Sequence, residues 1–236
     1  MSASPSAGRY AVGSLLGQGG MGAVFRATDL HTGRELALKR VHLSEDAVRN
    51  TRCTELFHQE FRTLVQLAHP HVVAVYDFGI DESGAYYTME LIEGADLHTL
   101  APVPWAEACG LMRDVWSALS LLHARRLLHR DISPRNLRRN DQGQVKLIDF
   151  GGMAPMGPCR TIVGTPPVVA PEALLQQSLD ARADLFAIGA TFTTYSPADT
   201  RTQRAPSSSY LVPGRAARYR PQNSRQGFRP SSIAWC

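Results

Sequence analysis

The chain has 236 residues, of which 44% are hydrophobic, enough to bury the core of one large or two small domains. No apolar run reaches the roughly 18 residues of a membrane span, and the N-terminal MSASPSAGRY lacks the apolar stretch of a signal peptide. We therefore expect a cytoplasmic protein with no membrane partner. The four cysteines form no CxxC pair, which argues against a structural zinc site.

Positive charge is concentrated at the C-terminal end. The formal net charge is +4, but residues 193–236 hold seven arginines and one acid, so that stretch is +6 and the rest of the chain −2. Basicity is therefore a property of the tail and not of the folded part. Only two basic residues of the whole chain are lysines, Lys39 and Lys146.

Taken in chain order, residues 1–9 form an N-terminal extension and residues 10–93 a sheet-rich first lobe, since alternating apolar residues are punctuated by glycines and turns. One amphipathic helix interrupts this lobe at residues 55–68, where apolar residues recur at three- and four-residue steps. Residues 94–192 form a second, helical lobe that begins with a helix at residues 105–126. The sequence therefore predicts an α+β, bilobal fold.

Residues 193–236 are rich in Ser, Pro and Arg and show no apolar periodicity. We expect this basic tail to be disordered. Clustered arginines also attract nucleic acid, but a solvated tail is the simpler interpretation, and we expect no nucleic-acid partner.

A glycine-rich motif follows the first strand-like stretch. It comprises Gly17, Gln18, Gly19, Gly20, Met21, Gly22, Ala23 and Val24. Its spacing is shared by dinucleotide-binding units and by simple glycine-rich hairpins, but a dinucleotide fold needs a helix directly after the glycines. Here a second strand, a turn and a third strand follow, which favours a hairpin that covers a nucleotide.

Lys39 lies in the third predicted strand, after Ala37 and Leu38. A lone strand lysine is usually solvated. The alternative is a cation that holds phosphates and is oriented by a carboxylate, for which Glu60 on the predicted helix is the candidate.

Three further motifs follow in order: His129-Arg130-Asp131 with Asn136, then Asp149-Phe150-Gly151, then Ala170-Pro171-Glu172. With the glycine motif and Lys39, they make residues 10–192 resemble the eukaryotic-type (Hanks-type) Ser/Thr protein kinase family in its bacterial form. The resemblance implies a bilobal kinase fold and transfer of the γ-phosphate of ATP to hydroxyls of a protein substrate.

The resemblance also implies a role for each motif residue. Asp131 would orient the substrate hydroxyl and accept its proton. Asn136 and Asp149 would supply oxygen ligands for Mg²⁺. Lys39, held by Glu60, would position the α- and β-phosphates.

The segment Thr88-Met89-Glu90-Leu91-Ile92 resembles the family's hinge between the lobes. Met89 would be the gatekeeper, and backbone groups of Glu90 and Ile92 would bind adenine. Plain core packing is the alternative for Met89 and Ile92. The resemblance also assigns Ala37 and Asp96 to the nucleotide site.

The sequence departs from the family pattern in the catalytic loop. Ser133 stands where Ser/Thr kinases usually carry a lysine that contacts the transferred phosphate. Arg135 falls where many tyrosine kinases place a compensating arginine, so we expect it to supply the missing charge. The element Gly164-Thr165-Pro166-Pro167 resembles the Ser/Thr form and favours that substrate class.

The second departure lies at the C-terminal end. The later helices of the family's C-terminal lobe are not recognisable, so we expect an incomplete lobe in a truncated or frame-shifted product. Together with Ser133, this leaves an alternative function open, that of a pseudokinase or inactive remnant that binds a nucleotide or a partner.

Overall fold

A six-stranded antiparallel sheet forms most of the N-terminal lobe. The computed structural model describes residues 5–6, 8–19, 22–41 and 47–195. The strands of this sheet are β1 (Pro5–Ser6), β2 (Tyr10–Gly19), β3 (Gly22–Asp29), β4 (Glu35–Val41), β5 (Val75–Asp81) and β6 (Gly84–Met89). Across the sheet they lie in the order β1-β2-β3-β4-β6-β5. The third predicted strand corresponds to β4, where it is hydrogen-bonded between β3 and β6.

A single long helix, α1 (Ala47–Val65), lies between β4 and β5 in the chain. Its apolar residues Phe57 and Phe61 contact Phe78 and Tyr87 of the sheet. The predicted helix at residues 55–68 therefore exists but begins earlier and ends earlier. Its first turns carry too few apolar residues for periodicity to detect them, and a tight turn from the carbonyl of Leu64 to the N–H of Leu67 ends it.

The C-terminal lobe combines helices with short strand pairs. Its helices are α2 (Leu97–Leu100), α3 (Trp105–Ala124), α4 (Pro171–Leu174) and α5 (Ala181–Tyr195). Its strands are β7 (Gly94–Asp96), β8 (Leu127–Leu128), β9 (Leu137–Asn140), β10 (Val145–Leu147), β11 (Ala154–Pro155), β12 (Gly157–Pro158) and β13 (Ser178–Leu179). The helix predicted at residues 105–126 ends at Ala124, because Arg126 adopts a positive φ of 57° that a helix does not accommodate.

One continuous apolar core runs through both lobes, from Phe57 and Leu64 of α1 to Leu119 of α3 and Ile188 of α5. The lobes also meet through backbone hydrogen bonds, because the N–H of Val73 donates to the carbonyl of Leu147 at 3.1 Å. This junction joins the end of β10 to the segment between α1 and β5 of the N-terminal lobe. Among the described residues, no helix has the length and apolarity needed to cross a membrane.

Two structural features cross the predicted domain boundaries. Arg9, assigned to the extension, forms ion pairs with Asp29 and Asp77 of the sheet. At the other end, α5 continues through Tyr195, so residues 193–195 of the predicted tail are helical. Residues 196–236, with the predicted disorder and basic charge of the tail, lie outside the described residues, as do Gly20 and Met21.

A buried aspartate connects α5 to the loop that follows β8. Asp184 is fully buried and accepts hydrogen bonds from the backbone N–H of His129 at 3.0 Å and of Arg130 at 2.9 Å. Its carboxylate also lies 2.8 Å from Nε2 of His123 on α3. One side chain therefore fixes the backbone immediately before Asp131.

We predict that Asp184→Ala lowers the free energy of unfolding by about 3 kcal/mol, because two backbone N–H groups lose their acceptor in the interior. Urea unfolding followed by circular dichroism measures this. The control is Asp141→Ala in the exposed turn between β9 and β10, where we expect a change of no more than about 0.5 kcal/mol. Equal stabilities of the two variants would contradict this role for Asp184.

Candidate active site

A lysine and two carboxylates from three separate elements meet between the lobes. The ammonium nitrogen of Lys39 on β4 lies 2.9 Å from Oε1 of Glu60 on α1 and 2.9 Å from Oδ1 of Asp149. Lys39 and Glu60 are buried, whereas the side chain of Asp149 is 51% exposed. The cluster is therefore buried at Lys39 and Glu60 and open to solvent at Asp149.

Aromatic residues complete the buried side of this cluster. The hydroxyl of Tyr87 on β6 donates to Oε1 of Glu60 at 2.9 Å, and the rings of Phe57 and Tyr87 stack with centroids 4.8 Å apart. Glu60 thus has two donors, Lys39 and Tyr87, which fix its carboxylate in one orientation.

The charges of the cluster stabilise one another. Burial alone would lower the pKa of Lys39, but the carboxylates of Asp149 and Glu60 outweigh burial and hold that pKa well above its usual 10.5. In return, the Lys39 ammonium lowers the pKa of Asp149 below 3.8. Lys39 is therefore cationic and Asp149 anionic at neutral pH.

A second cluster forms around Asp131. Its Oδ1 accepts hydrogen bonds from the backbone N–H and the hydroxyl of Thr165, both at 2.9 Å. Its Oδ2 accepts from Nδ2 of Asn136 at 2.8 Å, and Nδ2 also donates to the Asp131 carbonyl at 2.9 Å. The Asp131 carboxylate is thus held at both oxygens by neutral donors, and Asn136 has its amide nitrogen turned toward Asp131.

The backbone at these clusters is conformationally unusual. Arg130 and Asp149 have φ values of 70° and 58°, in the left-handed region that few non-glycine residues adopt. Packing maintains this geometry, since the fully buried His129 contacts the ring of Phe150 with centroids 4.7 Å apart. Backbone strain of this kind concentrates at functional sites.

The glycine motif forms the predicted hairpin, in which Gly17 pairs with Val24 and Gly19 with Gly22. Gly22 is required by packing, because a Cβ there would lie 2.1 Å from the Arg40 carbonyl oxygen. At Gly17 and Gly19, in contrast, a Cβ would have no neighbour within 4 Å. Val24 also faces Lys39 in the strand register, which brings the motif next to the lysine.

The linker, which we define as residues 90–94, joins the two lobes after β6. Met89 packs against the core and pairs with Ala37 of β4. The backbone N–H of Glu90 donates to the carbonyl of Ala74 at 2.8 Å, and Ile92 is buried. Asp96, a few residues later, caps α2 through a 2.7 Å hydrogen bond from the N–H of Thr99.

Ser133 and Arg135, the two residues of the catalytic-loop departure, differ in exposure. Ser133 is buried at the start of the 3₁₀ turn Pro134–Asn136. Arg135 is exposed, and its guanidinium lies 3.3 Å from Nε2 of His98 on α2. The structure therefore brings Lys39, Glu60 and Asp149 together and Asp131 with Asn136, but it places Arg135 against α2.

Three contacts of the site were not predicted from the sequence, because no motif marks them. They are the hydrogen bond from Tyr87 to Glu60, the ion pair between Lys146 and Glu90, and the hydrogen bond from Arg138 to the linker. For Lys146 a signal was available, because it is one of only two lysines in an arginine-rich chain.

Comparison with known proteins decides the family. The sequence profile of the protein kinase domain matches residues 10–207. The chain belongs to the protein kinase family. The α+β bilobal fold, with one long helix in its sheet-rich lobe, is the fold expected from the resemblance.

Curated relatives include several bacterial kinases. The chain is 35% identical over 198 residues to the probable serine/threonine-protein kinase CE0033 of Corynebacterium efficiens. It is 33% identical over 195 residues to the serine/threonine-protein kinase PknB of Mycobacterium leprae. It is 37% identical over 197 residues to the DNA damage-responsive serine/threonine-protein kinase RqkA of Deinococcus radiodurans.

These matches cover 77–78% of the present chain but only 29–31% of those three relatives. The chain therefore spans about a third of the length of these relatives.

We predict that Lys39→Met lowers the free energy of unfolding by about 3 kcal/mol at neutral pH, because the carboxylate of Glu60 loses its buried partner. The loss has a pH dependence. Since the folded-state pKa of Asp149 is lowered below 3.8, its ionised form stabilises the fold above that pH, and this contribution disappears as the pH falls through the lowered pKa.

Urea unfolding in magnesium-free buffer at neutral and acidic pH tests this prediction. The difference between the native chain and Lys39→Met should shrink below pH 3.8. Arg62→Met, at an exposed position of α1, is the control and should show no such trend. A deficit of the same size at both pH values would contradict the coupling between Lys39 and Asp149.

Proposed function

We propose that the chain is an ATP-dependent protein kinase that transfers the γ-phosphate of Mg·ATP to serine or threonine hydroxyls of a protein substrate. The observation that carries the proposal is the position of the Lys39 ammonium, 2.9 Å from both Glu60 and Asp149. A buried cation fixed in this way beside the exposed carboxylate of Asp149 is suited to hold phosphates.

Asp131 is the proposed residue that orients the substrate hydroxyl. Thr165 and Asn136 hold its two oxygens with neutral hydrogen bonds. In the proposed reaction this carboxylate accepts the proton of the hydroxyl, and its fixed orientation aligns the attacking oxygen with the phosphate. The contact from Thr165 supports the Ser/Thr substrate class.

Asn136 and Asp149 are the proposed magnesium ligands, and their chemistry fits that ion. The amide nitrogen of Asn136 is bonded to Asp131, which leaves its oxygen for a cation, and Asp149 is ionised and half exposed. Mg²⁺ prefers such hard oxygen ligands and takes the remainder from phosphates and water. When bound, it neutralises charge on the phosphates.

The glycine hairpin and the linker are proposed to bind the rest of ATP. Nothing in the described chain fills the space where Gly17 and Gly19 would carry side chains, so phosphates can approach the backbone there. Within the described residues, no backbone hydrogen bond uses the carbonyl of Glu90 or the N–H of Ile92. These two groups match the N6 donor and N1 acceptor of adenine.

Ser133 and Arg135 determine how the transferred phosphate is stabilised. The buried serine supplies no charge. We propose that Arg135, which is exposed, leaves His98 and supplies the missing charge when substrates bind.

A second candidate function rests on the same serine. Without a cation at position 133, the chain would bind Mg·ATP and a protein partner but transfer no phosphate, as a pseudokinase does. The experiment that separates the two candidates is a transfer assay combined with nucleotide binding.

We predict that the native chain transfers labelled γ-phosphate from Mg·ATP to itself or to a generic protein substrate, and that Asp131→Asn lowers the rate by at least about 100-fold. The substitution removes the proton acceptor but keeps the shape. Asp141→Asn, in an exposed turn, serves as the matched control and should keep the native rate.

Transfer that survives in Asp131→Asn would contradict the role of Asp131. A folded native chain that binds Mg·ATP without transfer would instead establish the second candidate. A folded chain that binds no nucleotide would rule out both.

A further inference from the structure

Two basic side chains of the C-terminal lobe reach the linker from the same β-hairpin. Lys146 on β10 and Arg138 on β9 are directly opposite each other in the antiparallel register. Like charges in such a pair destabilise a sheet unless each has an acceptor or a negative partner. Both side chains have such partners in the linker, residues 90–94.

The contacts are short and specific. Nζ of Lys146 lies 2.7 Å from Oε2 of Glu90, and both side chains are largely buried. The Arg138 guanidinium donates through Nε to the carbonyl of Ile92 at 2.8 Å and through Nη2 to that of Gly94 at 2.7 Å. The fork geometry of arginine suits two acceptors held at a fixed spacing.

Other neighbours do not account for this arrangement. Asp96 on β7 lies opposite Arg138 on its other side, but within the described residues the two form no ion pair, and Asp96 caps α2 instead. Glu90 is held from the N-terminal lobe as well, since its carboxylate accepts a 3.4 Å hydrogen bond from the N–H of Ala74. The linker is therefore fixed from both lobes.

We propose that Lys146 and Arg138 form a basic clasp that fixes the linker and so positions the backbone groups that bind the base of ATP. This inference rests on the proposed function and names two positioning residues for it. Neither side chain contacts the proposed catalytic residues or magnesium ligands within the described structure.

The clasp also has a consequence for base selectivity. Because Arg138 takes the carbonyl of Ile92, the linker presents the Glu90 carbonyl as its acceptor and the Ile92 N–H as its donor. Adenine, with a donor at N6 and an acceptor at N1, matches this order. Guanine has an acceptor at O6 and a donor at N1, so it requires the linker to shift. A fixed linker thus favours ATP over GTP.

The test compares Lys146→Met and Arg138→Met with the native full-length chain. Loss of charged hydrogen bonds that position the base should raise the KM for ATP, and the Kd measured by displacement of a fluorescent ATP analogue, by about tenfold. The ratio of the Kd for GTP to the Kd for ATP should fall. The kcat at saturating ATP should stay within about twofold, because the lost binding is shared by ground state and transition state.

Two further variants separate positioning from stability. Arg139→Met, on the same strand but bonded to Glu107 instead of the linker, should keep native values. Lys146→Arg keeps the positive charge and a side chain of similar length, so it should retain most of the ATP affinity that Lys146→Met loses. If a methionine variant does not fold, Arg138→Lys, which keeps the charge but loses the fork, should still raise the Kd.

The outcomes distinguish this inference from the proposed function. The clasp would be overturned if the folded clasp variants kept the native KM, Kd and nucleotide preference, or if Arg139→Met changed them equally. Phosphate transfer by the native chain would still support the proposed kinase activity. A native chain that binds the analogue without transfer removes the kinase activity, and the Kd comparison still decides the clasp. A native chain that binds no nucleotide overturns both.

Discussion

The Lys39 ammonium, held 2.9 Å from the carboxylates of both Glu60 and Asp149, is the interaction on which the rest of the site depends. A buried lysine without partners would lose its proton, and a buried Glu60 without a cation would destabilise the fold. Each group therefore requires the others. Since they come from β4, α1 and the segment after β10, their contact fixes the helix against the sheet and both against the C-terminal lobe.

The cluster around Asp131 is connected to the Lys39 cluster through neighbouring buried residues. Asp184 on α5 fixes the backbone before Asp131, and packing of Phe150 against His129 connects that loop to Asp149. The proposed phosphate site at Lys39 and the proposed hydroxyl site at Asp131 are thus joined through one buried contact. Lys146 and Arg138 attach the linker to the lobe that carries Asp131.

The sequence predicts this arrangement unevenly, for physical reasons. The glycine motif, Lys39 and Asp131 stand out in the sequence because the proposed chemistry requires particular residues at particular spacings. The start of α1 is missed because its first turns carry few apolar residues. The contact of Arg135 with His98 and the cross-strand pairing of Lys146 with Arg138 depend on register and rotamer, which local patterns do not encode.

The most direct test of the central cluster is the effect of Mg²⁺ on equilibrium binding of ATP, compared between the native chain and Asp149→Asn. If Asp149 is both the partner of Lys39 and a magnesium ligand, Mg²⁺ should strengthen ATP binding by the native chain, and the variant should lose most of that gain while it remains folded. The same gain in both proteins would contradict the account, as would a folded native chain whose ATP affinity does not depend on Mg²⁺.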